Sequence, residues 1–333
     1  MKPFLLKPAT KSYLWGGTLL AERYGKTSTA PTIAESWELS AHPNGSSVVA
    51  TGPYRGLPFA DFCQNHPEAV SPAFRPGVRF PLMIKLIDAA KPLSVQVHPG
   101  DTYAWQHEGE PGKTEAWFIL DSAPDAYLYC GFARNTSREE VARRIADNTL
   151  EDVLNKLFVQ KGDLVYVPAG TVHAIGQGLL VAEVQENSDS TYRVYDYGRV
   201  GDDGQPRALH IEKALDVLDY GKAHVETPGS LPPAAGPQWQ AQQLVSCPYF
   251  AINRLALDGG YTSDAARDAF ECVLCIEGGA VLAPSAANLV LTPGCSAFVP
   301  AGTAGYRLEG RGTFLLCGVP SAAAGQPGTE SSQ

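Results

Sequence analysis

Gln96 and His98 stand two residues apart in the run Pro92-Leu-Ser-Val-Gln-Val-His-Pro99. Leu93, Val95 and Val97 alternate there with Ser94, Gln96 and His98, and the side chains of a strand alternate between its two faces. One face is therefore apolar, while the other gathers a serine, an amide and an imidazole. Glu115 opens a later apolar run, Glu115-Ala-Trp-Phe-Ile-Leu120, and His173 follows the turn Pro168-Ala-Gly170 at the end of another. Two imidazoles, a carboxylate and an amide oxygen make a donor set suited to Zn2+. None of them is a thiolate, so Mn2+, Fe2+ and Co2+ are candidate substitutes.

Strands must carry such a set, and the chain reads as mainly β. Its 33 glycines and 26 prolines exceed average usage of about 12% and point to many tight turns. Helix signals are few. Ser137-Arg-Glu-Glu140 is a capping box followed by Val141, Ala142 and Ile145 on one face. Thr149 predicts a second short helix with Val153, Leu154, Leu157 and Phe158 as its apolar stripe, and a third runs near His210–Leu218. Trp15, Trp37 and Trp117 read as core aromatics. His66, His107, His210 and His224 fit no constellation.

The chain also repeats itself. Gly162-Asp-Leu-Val-Tyr-Val-Pro-Ala-Gly-Thr-Val-His173 matches Gly294-Cys-Ser-Ala-Phe-Val-Pro-Ala-Gly-Thr-Ala-Gly305, an offset of 132 residues. Upstream, the run from Glu115 resembles Glu271-Cys-Val-Leu-Cys-Ile276. Two copies of one β-unit are expected. The second copy has Gly305 where the first has His173, and no Gln-x-His, so Glu271 is expected to lack ligand partners and the chain to hold one metal.

Composition excludes several classes. Lysine and arginine total 26 against 35 acidic residues, a net charge of -9, which disfavours a nucleic-acid binder. No run of apolar residues is long enough to span a membrane, and the N-terminal Met1-Lys-Pro-Phe-Leu-Leu-Lys7 has no signal-peptide core. Seven scattered cysteines suit free thiols in a reducing cytoplasm. Cys272 and Cys275 lie three apart in a strand, on opposite faces, and so cannot share one ion.

Gly162-x5-Pro168-x-Gly170-x2-His173 resembles the second conserved motif of the cupin superfamily, and Gln96-x-His98 with Glu115 stands where the first motif has His-x-His and a glutamate. Gln-x-His-Pro, then Gly112-Lys-Thr-Glu-Ala-Trp117, then Pro-Ala-Gly-Thr-Val-His is similar to the type I mannose-6-phosphate isomerases in their short bacterial form. Tyr13-Leu-Trp-Gly-Gly17, Ala34-Glu-Ser-Trp-Glu38 leading to His42-Pro43, and Ser188-Asp-Ser-Thr-Tyr-Arg193 agree, so the resemblance spans about residues 3 to 320.

The resemblance implies two cupin jelly-roll β-barrel units with a small helical insertion near 137–158. The expected division is a metal-binding unit over 1–225, a Pro/Gly-rich linker over 226–239, a metal-free unit over 240–320 and a disordered tail over 321–333. It implies an enzyme that interconverts mannose 6-phosphate and fructose 6-phosphate with a divalent metal, usually zinc, held by Gln96, His98, Glu115 and His173. Arg193 matches the family's catalytic arginine, and Lys85 and Lys113 match its active-site lysines. Ser94 matches a serine near the phosphate. The reaction moves a proton between C2 and C1 through an enediol, and Lys113, Glu35 and a metal-bound water are all open as the base. Lys85 and Ser94 are the phosphate candidates, and Glu35 is expected at the substrate. Two other readings stand beside this one. A cupin dioxygenase would use two histidines and a carboxylate, but Gln96 as fourth ligand argues against it. A non-catalytic sugar-phosphate-binding cupin would be expected to have lost a ligand or Arg193. The oligomeric state is not encoded legibly.

Overall fold

The computed structural model describes residues 1–200, 204–224, 227–263, 268–283 and 288–320. The architecture is mainly β, as expected, with a few short helices. The tail over 321–333 lies outside the described residues.

The chain divides into two compact units that interleave in sequence. One comprises Met1–Ala9, Trp37–Ile84 and Thr227–Gln333; the other comprises Thr10–Ser36 and Lys85–Glu226. The expected single cut at 225 is therefore corrected, because 1–9 and 37–84 group with the C-terminal part of the chain. Phe4–Lys7 shows why: it adds antiparallel to Ser296–Val299, a strand nearly three hundred residues away. The supposed linker is also partly structured, since Ala234–Gly236 pairs with Trp239–Ser246.

The first unit is built on one sheet. Its order is Ala234–Gly236, Trp239–Ser246, Ala251–Ser263, Tyr306–Gly318, Glu271–Ala283, Ser296–Val299, Phe4–Lys7 and Val48–Val49, with Leu289–Leu291 beside Glu271–Ala283. Phe59, Phe80, Phe270 and Phe298 pack ring against ring in its core.

In the second unit, a five-stranded sheet runs Tyr192–Tyr195, Val95–Val97, His173–Ile175, Tyr127–Phe132 and Leu154–Phe158. A six-stranded sheet contributes Leu164–Val167, Glu115–Ser122 and Leu179–Glu186 to this unit, hydrogen-bonded in that order. The helices Arg138–Ala146 and Ile211–Val217 bury Val141, Ile145, Ala214 and Leu215 against Val95, Val97, Ala174 and Val194. The apolar face of the Gln-x-His strand is thus turned to these helices, as its alternation predicts. Leu93 departs from that pattern and joins a different cluster with Trp117 and Val165, because the strand begins only at Val95. Ser137 caps the first helix by accepting from Glu140 N. The helix expected from Thr149 is corrected: a single turn, Leu150–Val153, passes directly into the strand Leu154–Phe158. β-pairing with Tyr127–Phe132 overrides the helical spacing, leaving Phe158 exposed with Lys156 Nζ 5.5 Å from its ring centre.

The repeat is present in the strand register. Glu115 faces Val167 across one antiparallel pair, and Glu271 faces Val299 across the other. Gly170 and Gly302 both take positive φ, 87° and 71°, which the Pro-Ala-Gly turn needs and which only glycine adopts freely. From glutamate to valine the first copy runs from 115 to 167 and the second from 271 to 299; the surplus in the first copy holds the helical insertion.

Candidate metal centre

The five-stranded sheet supplies Gln96 and His173, His98 follows directly on its strand Val95–Val97, and the six-stranded sheet supplies Glu115. His173 lies directly opposite Gln96 in its strand pair, so both side chains project from the same face. Ligand atoms of His98, Glu115 and His173 lie within 4.8 Å of one another. His173 Nε2 is 3.3 Å from Glu115 Oε1, and His98 Nε2 is 3.5 Å from Oε2. Gln96 Nε2 is 3.3 Å from His173 Nε2, and a half-turn of the amide presents Oε1 at that place instead.

Each imidazole is fixed by its other nitrogen. His98 Nδ1 donates to Ser190 O at 2.8 Å, and His173 Nδ1 donates to Thr171 O at 2.8 Å. A carbonyl only accepts, so Nδ1 carries the proton and Nε2 keeps its lone pair, the orienting arrangement of metal-binding histidines. Burial, joined by the Lys113 charge, holds His98 well below the usual histidine range, and burial lowers His173 to about 4. Both are neutral near pH 7.

Glu115 is completely buried, which pushes its carboxyl upward against the opposing pull of Lys113. Lys113 Nζ lies 2.7 Å from Oε2 and 2.9 Å from His98 Nε2. Even so, neither Glu115 oxygen receives a well-directed hydrogen bond. Buried carboxylate oxygens without a well-directed hydrogen bond are rare, and a carboxylate converging with two neutral imidazole nitrogens, with the Lys113 ammonium alongside, fits a divalent cation.

Lys85, expected at the phosphate, is buried and donates to Glu183 Oε1 at 3.0 Å. Burial alone would lower the Lys85 ammonium, yet Glu183 and Glu35 hold it above the ordinary lysine value. Burial would likewise raise Glu183, but Lys85 and Lys113 hold it down. The pair is therefore ionised. Trp117 completes it, donating from Nε1 to Glu183 Oε2 at 3.0 Å while packing edge-on to His173. Trp15, Trp37 and Trp117 are all core residues. Glu35 is half-buried and acts electrostatically on both Lys85 and Tyr13.

Arg193 pairs in register with Gln96 and donates from Nε to Ser94 Oγ at 3.2 Å. Two further arginines flank it. Arg207 donates to both oxygens of Asp196 at 2.6 and 2.5 Å, and Arg199 donates to Oδ1 at 2.5 Å. Burial and then the Arg207 charge lower Arg193. Two guanidinium groups thus share the Asp196 carboxylate, and the charges of all three groups act on Arg193 beside Ser94. Sequence reasoning missed Glu183, Arg199 and Arg207. The alternation of Glu183 and Gln185 with apolar residues in Leu179–Glu186 was the available signal for the first; nothing in the spacing marked the arginines.

The sequence matches the family described as phosphomannose isomerase type I, catalytic domain, over residues 4–127, and mannose-6-phosphate isomerase, cupin domain, over 240–317. It is 40% identical to a mannose-6-phosphate isomerase of Streptococcus mutans over 78% of this chain and 80% of that one. It is 37% identical to the mannose-6-phosphate isomerase ManA of Bacillus subtilis over 93% of this chain and 96% of that one. The crystal structure of the mannose 6-phosphate isomerase from Bacillus subtilis superposes with a TM-score of 0.89 at 33% identity, covering 96% of this chain and all of that one. With the donor set, the duplicated β-unit and full-length likeness in agreement, the chain belongs to the type I phosphomannose isomerases, cupin enzymes that interconvert mannose 6-phosphate and fructose 6-phosphate.

Proposed function

We propose that the reaction takes place at the cluster of Gln96, His98, Glu115 and His173, with one zinc ion per chain. The observation that carries this reading is the convergence of two buried, neutral imidazole nitrogens on a buried carboxylate whose oxygens receive no well-directed hydrogen bond. A bound divalent ion supplies Lewis-acid polarisation of a sugar oxygen.

Lys113 is the proton-transfer group of this reading. Its Nζ adjoins two ligands while remaining buried, so it can hold a proton beside C1 and C2 away from bulk water. Lys85 is paired instead with Glu183, which is not one of the four proposed ligands. Arg193 places fixed N–H donors at the edge of the cluster, where they stabilise negative charge on the enediolate oxygen. The substrate's phosphate is dianionic near neutral pH and seeks arginine forks and hydroxyls. Ser94 with Arg199 and Arg207 offers both, and the gathering of arginines there supports this placement over Lys85. Glu35 lines the substrate side through its action on Lys85 and Tyr13. The seven cysteines are unbridged, which supports a cytoplasmic enzyme. Among the described residues no helix is long and apolar enough to cross a membrane.

A coupled isomerase assay on mannose 6-phosphate, before and after chelation and with zinc restored, tests the proposal. Activity is expected to disappear with the metal and return with it. Full turnover in verified metal-free protein would overturn the site, and preference for another divalent ion would overturn zinc.

A further inference from the structure

Lys113 sits in a buried loop whose backbone donors are all engaged. Gly112 N donates to Asp101 Oδ1 at 2.8 Å, Lys113 N to Pro99 O at 3.0 Å, and Thr114 N to Glu186 Oε1 at 2.7 Å. Glu186 N returns a bond to Thr114 O at 3.1 Å, and Ala169 N reaches Thr114 Oγ1 at 3.3 Å. Gly112 presses so closely on the preceding turn that a Cβ there would lie 2.6 Å from Asp101 N. The loop therefore has little freedom while these partners hold. Its C-terminal anchor is a side chain, Glu186, itself only 3% exposed. Burial, with the Asp101 carboxylate adding to it, pushes the Glu186 carboxyl up to about 8. At neutral pH it is thus mostly uncharged, and a neutral carboxyl still accepts from Thr114 N.

We propose that Glu186 is a positioning residue: by gripping the Thr114 N–H it fixes the Gly112–Thr114 loop and so sets the Lys113 ammonium against Glu115 and His98. The anchored amide is one residue from the Lys113 Cα. A displacement of 1 Å at a reacting group can lower turnover by about 100-fold. This inference rests on the reading of Lys113 as the proton-transfer group.

The test uses metal-loaded enzyme and compares Glu186→Met with Glu186→Gln, two side chains of similar length of which only Gln keeps the acceptor. Each is made alone and with Lys113→Ala, and kcat, KM, metal content and Tm are measured. Glu186→Met is expected to lower kcat by about 10- to 100-fold, with KM nearly unchanged and metal retained; Glu186→Gln is expected to recover most of that loss. When Lys113 is already Ala, Glu186→Met should add almost nothing, because residues acting as one unit are not additive. If Glu186→Met does not fold, Gly112→Ala, which displaces the same loop, should show the same kcat loss. Additive losses, a rise in KM alone, or failure of Gln to rescue would overturn the positioning role while leaving Lys113 in place. Unimpaired turnover of Lys113→Ala would instead overturn the reading of Lys113, and this inference with it.

Discussion

Tyr306 donates its phenolic hydroxyl to Glu271 Oε2 at 2.6 Å. Glu271 holds the register position that Glu115 holds in the first copy. Where one copy turns its glutamate toward two imidazoles, the other gives its glutamate a tyrosine, and Gly305 stands in place of the second histidine. The expectation that Glu271 lacks ligand partners is refined accordingly: it has a hydrogen-bond donor but no imidazole in the matching place. Removing that donor in Tyr306→Phe should cost about 1–3 kcal/mol of stability and leave metal content at one ion per chain. Elemental analysis alongside thermal unfolding checks this, and two tightly bound ions per chain would contradict it.

The first-copy histidine should behave differently. Loss of a group that merely orients a ligand weakens metal binding about 10–100-fold, and loss of a ligand should exceed that. His173→Ala is therefore expected to purify with substoichiometric metal and matching activity, while its far-ultraviolet circular dichroism stays that of the parent.

Arg193 and Arg207 should separate chemistry from binding. Losing a preorganised donor to a developing oxyanion lowers turnover by about 10²–10³, so Arg193→Ala should fall chiefly in kcat. A phosphate grip acts equally on ground and transition states and appears in KM; Arg207→Ala should raise KM with kcat little changed. Steady-state kinetics in both directions, with metal content matched, would expose exchanged roles as the reverse pattern.

Breaking the Lys85–Glu183 pair should be costly because both groups are buried, at 6% and 5% side-chain exposure. Removing one partner of such a pair destabilises by about 3–5 kcal/mol. Lys85→Met or Glu183→Leu should each lower Tm sharply, and the double variant should regain stability, since an apolar replacement leaves no lone buried charge. Equal additive losses in the double variant would show that the two charges do not depend on each other.

Glu186 also makes a pH prediction. Its carboxyl keeps a proton in the folded chain up to about pH 8, against an ordinary value of 4.5. Between those values the folded state binds more protons than the unfolded one. This group's contribution therefore falls as pH rises through that window, by at most about 1.4 kcal/mol per pH unit. Denaturant unfolding at several pH values should show a shallower decline for Glu186→Gln than for the parent; parallel curves would contradict the raised pKa.

Local pattern alone marked the candidate ligands, the repeat and the family. Gln96 and His98 share a face because strand side chains alternate, His173 follows a turn that needs glycine, and Ser137 announces its helix through a capping box. All of these are short-range rules written within a few residues. Tertiary structure decided what depends on distant partners. Thr149 opens only one turn because Leu154–Phe158 finds a strand to pair with. Phe4–Lys7 belongs with the C-terminal unit because it completes a sheet edge against Ser296–Val299. Lys85 is a paired structural cation because Glu183, 98 residues away, meets it in the interior, and Asp196 draws Arg199 and Arg207 together beside Arg193. A buried charge takes its state from whatever the fold places beside it, and no run of neighbouring residues records that partner.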